Sequence, residues 1–149
     1  MAKKIFTPLE ITGEGTKDKE NESLTWFSFK NFRKSLGLAL SGLKIAFLKE
    51  QSFRIQVFIG ILALILMFIF PLTICEKTIV VLTIAVVLGF ELINSQIEKF
   101  LDIIQPSFHF RVKLVKDLSA AAVLIVSIGS ILIGLLIFLP YFFEFFINF

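Results

Sequence analysis

The chain has 149 residues and a formal net charge of +3; 56% of its residues are hydrophobic and only 18% are charged. A soluble domain carries roughly 25% charged residues, and a chain of this size has no way to bury so much apolar surface in a core of its own. The composition therefore excludes an ordinary soluble domain and predicts an integral membrane protein, and the small net charge gives no indication of nucleic-acid binding.

The N-terminal part of the chain is predicted to lie outside the bilayer. Residues 1–25 are expected to form a flexible cytoplasmic tail, because charged residues, Gly and Ser dominate there and little can be buried. Residues 26–149 are expected to form one membrane domain that begins with an amphipathic helix over about 30–50. Its apolar face consists of Phe32, Leu36, Leu40, Leu43 and Phe47. The basic residues on another side favour a position at the membrane interface, although packing on the protein's own core fits equally well.

Three apolar stretches follow, and each is predicted to form a transmembrane helix. The spans are expected at about 54–72, 77–101 and 112–140. The first and third contain uncharged runs long enough to cross the hydrocarbon core. The second is uncharged only over 78–90, and it then continues without Pro into a polar segment. The chain is therefore predicted to be an all-α membrane protein with three spans.

The distribution of basic residues predicts the orientation of these spans. Ten Lys or Arg residues precede the first span, one (Lys77) lies between the first and second, and four lie between Lys99 and Lys116. Connections rich in Lys and Arg remain in the cytoplasm. The N-terminus and the second connection are thus expected in the cytoplasm, and the C-terminus is expected outside.

Polar side chains share one face of the second predicted helix beyond Phe90. This stripe consists of Glu91, Asn94, Glu98 and Asp102, which are spaced by 3, 4 and 4 residues. Like charges at this spacing repel one another and are expensive to bury, so stability alone does not explain them, whereas divalent cations bound to phosphate would. Helix rise places Glu91 in the inner leaflet and Glu98 near the cytoplasmic boundary. A lipid hydroxyl and a water-soluble nucleotide can meet at that depth.

The second connection adds basic residues to this predicted site. Pro106 ends the second helix, and Lys113, Lys116 and Asp117 then face one way at the start of the third. A lysine there can hold phosphate oxygens, and the aspartate can hold that lysine or a metal ion. Glu50, at the end of the amphipathic helix, is the remaining carboxylate at this interface.

Four short motifs follow one another along the chain. They are S-x-x-x-A-x-x-G from Ser35 to Gly42, E-x-x-F-R from Glu50, E-x-x-N-[ST]-x-I-E-x-x-x-D from Glu91 and H-x-x-x-K-x-x-K-D from His109. In these motifs the chain resembles the prokaryotic diacylglycerol kinases and their undecaprenol kinase relatives, over about 35–140. Gln96 and Ala121 depart from the family pattern, where a small residue and, in undecaprenol-type members, a glycine are usual.

The resemblance implies a small lipid kinase of the bacterial inner membrane. Such an enzyme transfers the γ-phosphoryl group of ATP, with Mg²⁺, to a lipid alcohol, either undecaprenol or diacylglycerol, and works as a homotrimer with sites at subunit interfaces. The motifs assign catalysis to Glu91 and Glu98, metal binding to Glu50 and Glu98, nucleotide or phosphate binding to Asn94, Lys116 and Asp117, and substrate binding or support to Asp102, Ser35 and Gly42. Whether Glu91 or Glu98 is the base stays open.

Two other classes of membrane protein account for part of the pattern. An ion-transport subunit would use intramembrane Glu and Asn to line a pathway, but the acidic stripe stops within one leaflet. A purely structural subunit leaves the acidic face unexplained. Within the kinase reading, Lys113 and the C-terminal segment IGLLIFLP favour the undecaprenol type, whereas Ala121 favours the other branch.

Overall fold

The computed structural model describes residues 29–147, and this part of the chain is entirely helical apart from short connections. Its helices are α1 (Phe29–Lys49), α2 (Gln51–Ile69), α3 (Ile74–Ile104) and α4 (Phe110–Ile147). No strand occurs within 29–147, so the all-α prediction is confirmed. The predicted tail over 1–25 lies outside the described residues.

Three of the helices are long and apolar enough to cross a membrane, which confirms the predicted number of spans. The shortest, α2, has 19 residues and rises about 28 Å, close to the thickness of a hydrocarbon core. The central α3 has 31 residues and rises about 46 Å, so its polar end extends well beyond that core. Most apolar side chains of these helices are exposed, as expected of surfaces that contact lipid.

The helix ends differ from the predicted spans for local reasons. The first span ends earlier than predicted, at Ile69, because Phe70 precedes Pro71 and the residue before a proline is disfavoured in helical conformation. The helix break at Pro106 is where the sequence indicated it, since α3 ends at Ile104. The last helix continues through Pro140 to Ile147, seven residues past the predicted end of the third span.

The chain divides into two compact units, one ending at Ser41 and one beginning at Gly42. The first unit contributes the N-terminal part of α1, where every described side chain is exposed and the Ser41 hydroxyl donates to the Gly37 carbonyl over 2.9 Å. The second unit contains the three membrane helices. Within it α3 is central, because it packs against both α2 and α4, whose own backbones hardly approach each other.

Side-chain hydrogen bonds and ring contacts hold together the end of the bundle at the α2–α3 turn, which we call the turn end (Phe70–Thr73). Thr73 caps α3 in a capping box with Glu76, and the Tyr141 hydroxyl donates to the same Glu76 carboxylate over 3.0 Å. The Phe70 ring packs against the rings of Phe138 and Tyr141. The buried core lies here and consists of Met67, Phe70, Leu72, Val80, Ile137 and Phe138.

A glycine brings α2 and α3 together further from the turn end. A Cβ atom added at Gly60 would lie 3.1 Å from Cγ2 of Ile84. Small residues at helix crossings let backbones approach closely in membranes, where packing rather than water exclusion holds helices together. Gly60 therefore lets α2 and α3 pack closely between the turn end and the polar part of α3.

Candidate active site along the central helix

Glu91 is the most deeply buried ionisable residue of the described chain, with 4% of its surface exposed. The side-chain amide of Gln56, on α2, donates a hydrogen bond to its Oε2 atom over 3.0 Å. Within residues 29–147 no basic side chain forms an ion pair with Glu91. A carboxylate has about four acceptor positions, so this one retains free capacity in a place where an uncompensated charge is costly.

One helical turn further along α3, Asn94 links two other predicted site residues. Its Nδ2 donates to Oε1 of Glu98 over 3.2 Å, and its Oδ1 lies 2.6 Å from the Ser119 hydroxyl on α4. The same hydroxyl is 2.9 Å from the Lys116 carbonyl oxygen, so its proton serves one acceptor at a time. Asn94 therefore fixes the orientation of the Glu98 carboxylate and connects it to α4.

Glu50 is the single non-helical residue between α1 and α2 and stands at the N-terminus of α2 in extended conformation. Its carboxylate forms an ion pair with Lys99, the neighbour of Glu98 on α3. Glu91 lies two helical turns before Glu98 on the same face of α3. The three glutamates thus gather in one region, although 48 residues separate Glu50 from Glu98 in sequence.

Lys116 pairs with a residue that the sequence motifs gave only a supporting role. Its ammonium group forms an ion pair with Asp102, on the last turns of α3. Asp117, its neighbour in sequence, is exposed. The partner of Lys116 in this structure is therefore Asp102, which leaves the Asp117 carboxylate facing solvent.

The remaining two predicted site residues lie on α1. Ser35 and Gly42 are both exposed, and a Cβ atom added at Gly42 would meet no atom within 4 Å. They belong to different compact units of the chain.

The oxygen donors of this region suit a hard divalent cation that arrives with a phosphate. Among residues 29–147, no three His, Cys, Asp or Glu side chains are placed to hold one metal ion together. Mg²⁺ is usually bound by one or two carboxylates together with substrate phosphates rather than by an all-protein cage. Glu50, Glu98 and the Asn94 amide fit that smaller requirement.

Two side chains that contact the predicted site residues were not predicted from the sequence, Gln56 and Lys99. Gln56 had a usable signal, because it is a polar residue inside an otherwise apolar predicted span, where a polar side chain is a functional candidate by default. Lys99 had none, because its partner Glu50 is 49 residues away and no local spacing relates the two.

Comparison with known proteins extends over most of the chain. Residues 37–138 match the family described as prokaryotic diacylglycerol kinase. An undecaprenol kinase of Bacillus subtilis is 34% identical over 125 residues, which cover 84% of this chain and 97% of the relative. A diacylglycerol kinase of Synechocystis is 29% identical over 116 residues, 77% of this chain and 66% of the relative. A diacylglycerol kinase of Helicobacter pylori is 34% identical over 97 residues, 65% of this chain and 76% of the relative.

Proposed function

The chain belongs to the prokaryotic diacylglycerol kinase family and is a membrane lipid kinase, and we propose that it transfers the γ-phosphoryl group of ATP, with Mg²⁺, to the hydroxyl of a lipid alcohol at the cytoplasmic face of the bacterial inner membrane. The observation that carries this proposal is the buried Glu91 carboxylate, whose one described hydrogen-bond donor is the neutral amide of Gln56.

Glu91 is the group that receives the hydroxyl of the lipid. A buried carboxylate with unused acceptor positions binds an O–H donor strongly, and it takes up the proton as the new O–P bond forms. The leaving group is ADP. General-base assistance of this kind contributes about 10²–10⁴ in rate.

Glu98 and Glu50 are the carboxylates that would hold Mg²⁺. Asn94 orients the Glu98 carboxylate by donating a hydrogen bond to it. When bound, the metal ion would supply positive charge that reduces the repulsion of the phosphate oxygens toward an incoming oxygen. Lys99 balances the charge of Glu50 in this structure. Lys116, now paired with Asp102, would bind a phosphate oxygen.

The physiological lipid is proposed to be undecaprenol by a modest margin, with diacylglycerol also accepted. The chain covers nearly the whole length of the Bacillus relative named undecaprenol kinase. Both lipids present one primary hydroxyl at headgroup level, so the depth of Glu91 suits either. The polar groups beside Glu91 are few, and a site with few donors discriminates weakly between alcohols.

The active form is proposed to be a homotrimer with its sites between subunits. Broad apolar faces of α2, α3 and α4 are exposed in the single chain, and they offer surface for contact with other copies. The N-terminus is proposed to be cytoplasmic because ten of the fifteen Lys and Arg residues precede the end of the first turn of α2.

The proposed function is tested by measuring the transfer of labelled phosphate from ATP to a lipid alcohol. Purified protein in mixed micelles, supplied with Mg²⁺, is offered undecaprenol and 1,2-diacylglycerol separately and in competition. Both lipids should become labelled, with an excess of undecaprenyl phosphate in the competition. The Glu91→Gln variant keeps the shape of the side chain and should lose at least about 10²-fold in turnover. Failure of the wild-type protein to label any lipid alcohol contradicts the proposal.

A further inference from the structure

The Ser119 hydroxyl on α4 has one proton and lies beside two acceptors. Its Oγ atom is 2.6 Å from Oδ1 of Asn94, on α3, and 2.9 Å from the carbonyl oxygen of Lys116, one turn earlier on α4. Two oxygen atoms 2.6 Å apart repel each other unless a proton lies between them, and this distance is typical of an O–H···O hydrogen bond. Because Oδ1 of an amide carries no hydrogen, Ser119 is the donor to Asn94.

The two acceptors differ in how much they depend on this proton. The Lys116 carbonyl lies within α4, where the regular helical hydrogen bond from the amide four residues later already reaches it. Within residues 29–147, Oδ1 of Asn94 accepts no hydrogen bond other than the one from Ser119. A half-buried amide oxygen that loses its donor is destabilised, whereas the Lys116 carbonyl would keep its helical partner. The Ser119 hydroxyl is therefore needed by Asn94 rather than by its own helix.

The hydrogen bond from Ser119 also determines which atom of the Asn94 amide faces Glu98. With Oδ1 turned toward Ser119, Nδ2 points at the Glu98 carboxylate and donates to its Oε1 over 3.2 Å. The reverse orientation would place the amide oxygen against the carboxylate, and two acceptors repel each other. The second N–H of Nδ2 and the other oxygen of Glu98 stay available to a ligand. Three half-buried side chains on two helices thus form one hydrogen-bonded chain.

We propose that Ser119 is a positioning residue for phosphoryl transfer: its hydroxyl holds the Asn94 amide, and through it the Glu98 carboxylate, in the orientation that binds the metal ion. This inference rests on the proposed function, in which Glu98 is a metal ligand. Ser119 acts through these two residues and does not itself contact the substrates. It lies outside the four sequence motifs, the last of which ends at Asp117.

Ser130 offers a matched control on the same helix. Its hydroxyl donates to the Ser127 carbonyl over 2.8 Å, which is the same three-residue step that relates Ser119 to Lys116. Ser130 is also half-buried, and within the described part of the chain it forms no side-chain hydrogen bond to another helix. Ser130→Ala therefore removes an intrahelical hydrogen bond alone, whereas Ser119→Ala also removes the donor to Asn94.

The Mg²⁺ dependence of phosphoryl transfer tests this role. Ser119→Ala should raise the Mg²⁺ concentration for half-maximal activity by about 5–10-fold, while the KM for the lipid alcohol stays at its wild-type value. Ser119→Thr keeps a hydroxyl at this position and should restore most of the Mg²⁺ response. Ser119→Val has the shape of the threonine variant without the hydroxyl and should respond to Mg²⁺ as Ser119→Ala does. Ser130→Ala should behave as the wild type.

Binding of Mn²⁺, followed by electron paramagnetic resonance with ADP and no lipid alcohol, gives a readout that needs no turnover. Ser119→Ala and Ser119→Val should bind Mn²⁺ about 5–10-fold more weakly than the wild type, and Ser119→Thr and Ser130→Ala should bind it normally. Wild-type Mn²⁺ affinity in the alanine and valine variants, or equal losses in Ser130→Ala, overturns the positioning role while leaving the kinase activity established. Absence of lipid phosphorylation by the wild-type protein overturns the proposed function itself.

Discussion

The Gln56 amide and the Glu91 carboxylate join α2 to α3 through a 3.0 Å hydrogen bond between residues 35 apart in sequence. Glu91 is held by one neutral donor at a depth where its charge is expensive. Such an arrangement stabilises the carboxylate less than an ion pair would. Glu91 therefore keeps acceptor positions for a proton donor, as its proposed role of general base in phosphoryl transfer requires.

Replacing Gln56 with Leu should lower kcat by about 10–100-fold, because a hydrogen bond to a charged group contributes about 1.5–3 kcal/mol. Initial rates at varied lipid and saturating Mg-ATP measure it. Gln51→Leu is the control, since Gln51 is on the same helix and exposed. A Gln56→Leu enzyme with the turnover of the wild type would mean that Glu91 needs no orientation by Gln56.

Glu98→Gln keeps the side-chain volume and should reduce phosphate transfer by more than about 10³-fold while leaving the fold intact, because one contact to the metal ion at the transferring group is lost. Turnover at saturating Mg²⁺ and the thermal midpoint are measured together. Glu144→Gln, at the other end of the membrane bundle, should behave as wild type. Near-normal turnover of Glu98→Gln rules out a metal-binding role.

Lys116→Met should raise the KM for ATP by about 10–100-fold, since the ammonium group would no longer reach a phosphate oxygen. Lys113→Met, one turn earlier and exposed, is the matched control. Asp102→Asn releases Lys116 from its partner and should change the thermal midpoint little, because a partly exposed ion pair is worth about 0–1 kcal/mol. If Lys116→Met and Asp102→Asn raised the KM for ATP equally, the enzyme would require the ion pair itself rather than phosphate binding by Lys116.

Gly60→Leu should destabilise the bundle by about 1–3 kcal/mol, because the new side chain needs space that Ile84 of α3 occupies. Gly89→Leu, where an added Cβ meets nothing within 4 Å, should have a smaller effect. Thermal unfolding in the same detergent compares the two. Similar midpoints would show that α2 and α3 can separate at Gly60 without loss.

A reporter that is active only in the cytoplasm should be silent when fused after Phe149 and active when fused before Met1, since basic residues are concentrated ahead of the first span. Cells expressing each fusion provide the measurement. Immunoblots of both fusions control for expression. Strong activity of the C-terminal fusion contradicts the three-span topology.

Local patterns along the chain predicted the helices and the polar stripe on α3, because hydropathy, Pro106 and helical spacing are properties of neighbouring residues. These local patterns do not predict which residues of different helices contact each other. The predicted first span is apolar on nearly every side, so its sequence does not define which face of α2 packs against α3. The contact of Gln56 with Glu91 depends on how α2 is rotated about its own axis. The partners Lys99 and Asp102 likewise follow from how whole helices are placed, which the spacing of residues within one helix does not determine.

At the turn end, the Glu76 carboxylate accepts hydrogen bonds from both Thr73 and Tyr141, and so binds the start of α3 to the last turns of α4. At the opposite end the same two helices are joined by the Asn94–Ser119 hydrogen bond and the Lys116–Asp102 ion pair. Separation of α3 and α4 at that end therefore requires both contacts to break. A phosphate that drew Lys116 away from Asp102 would remove one of them, so nucleotide binding and movement of α4 against α3 would be coupled.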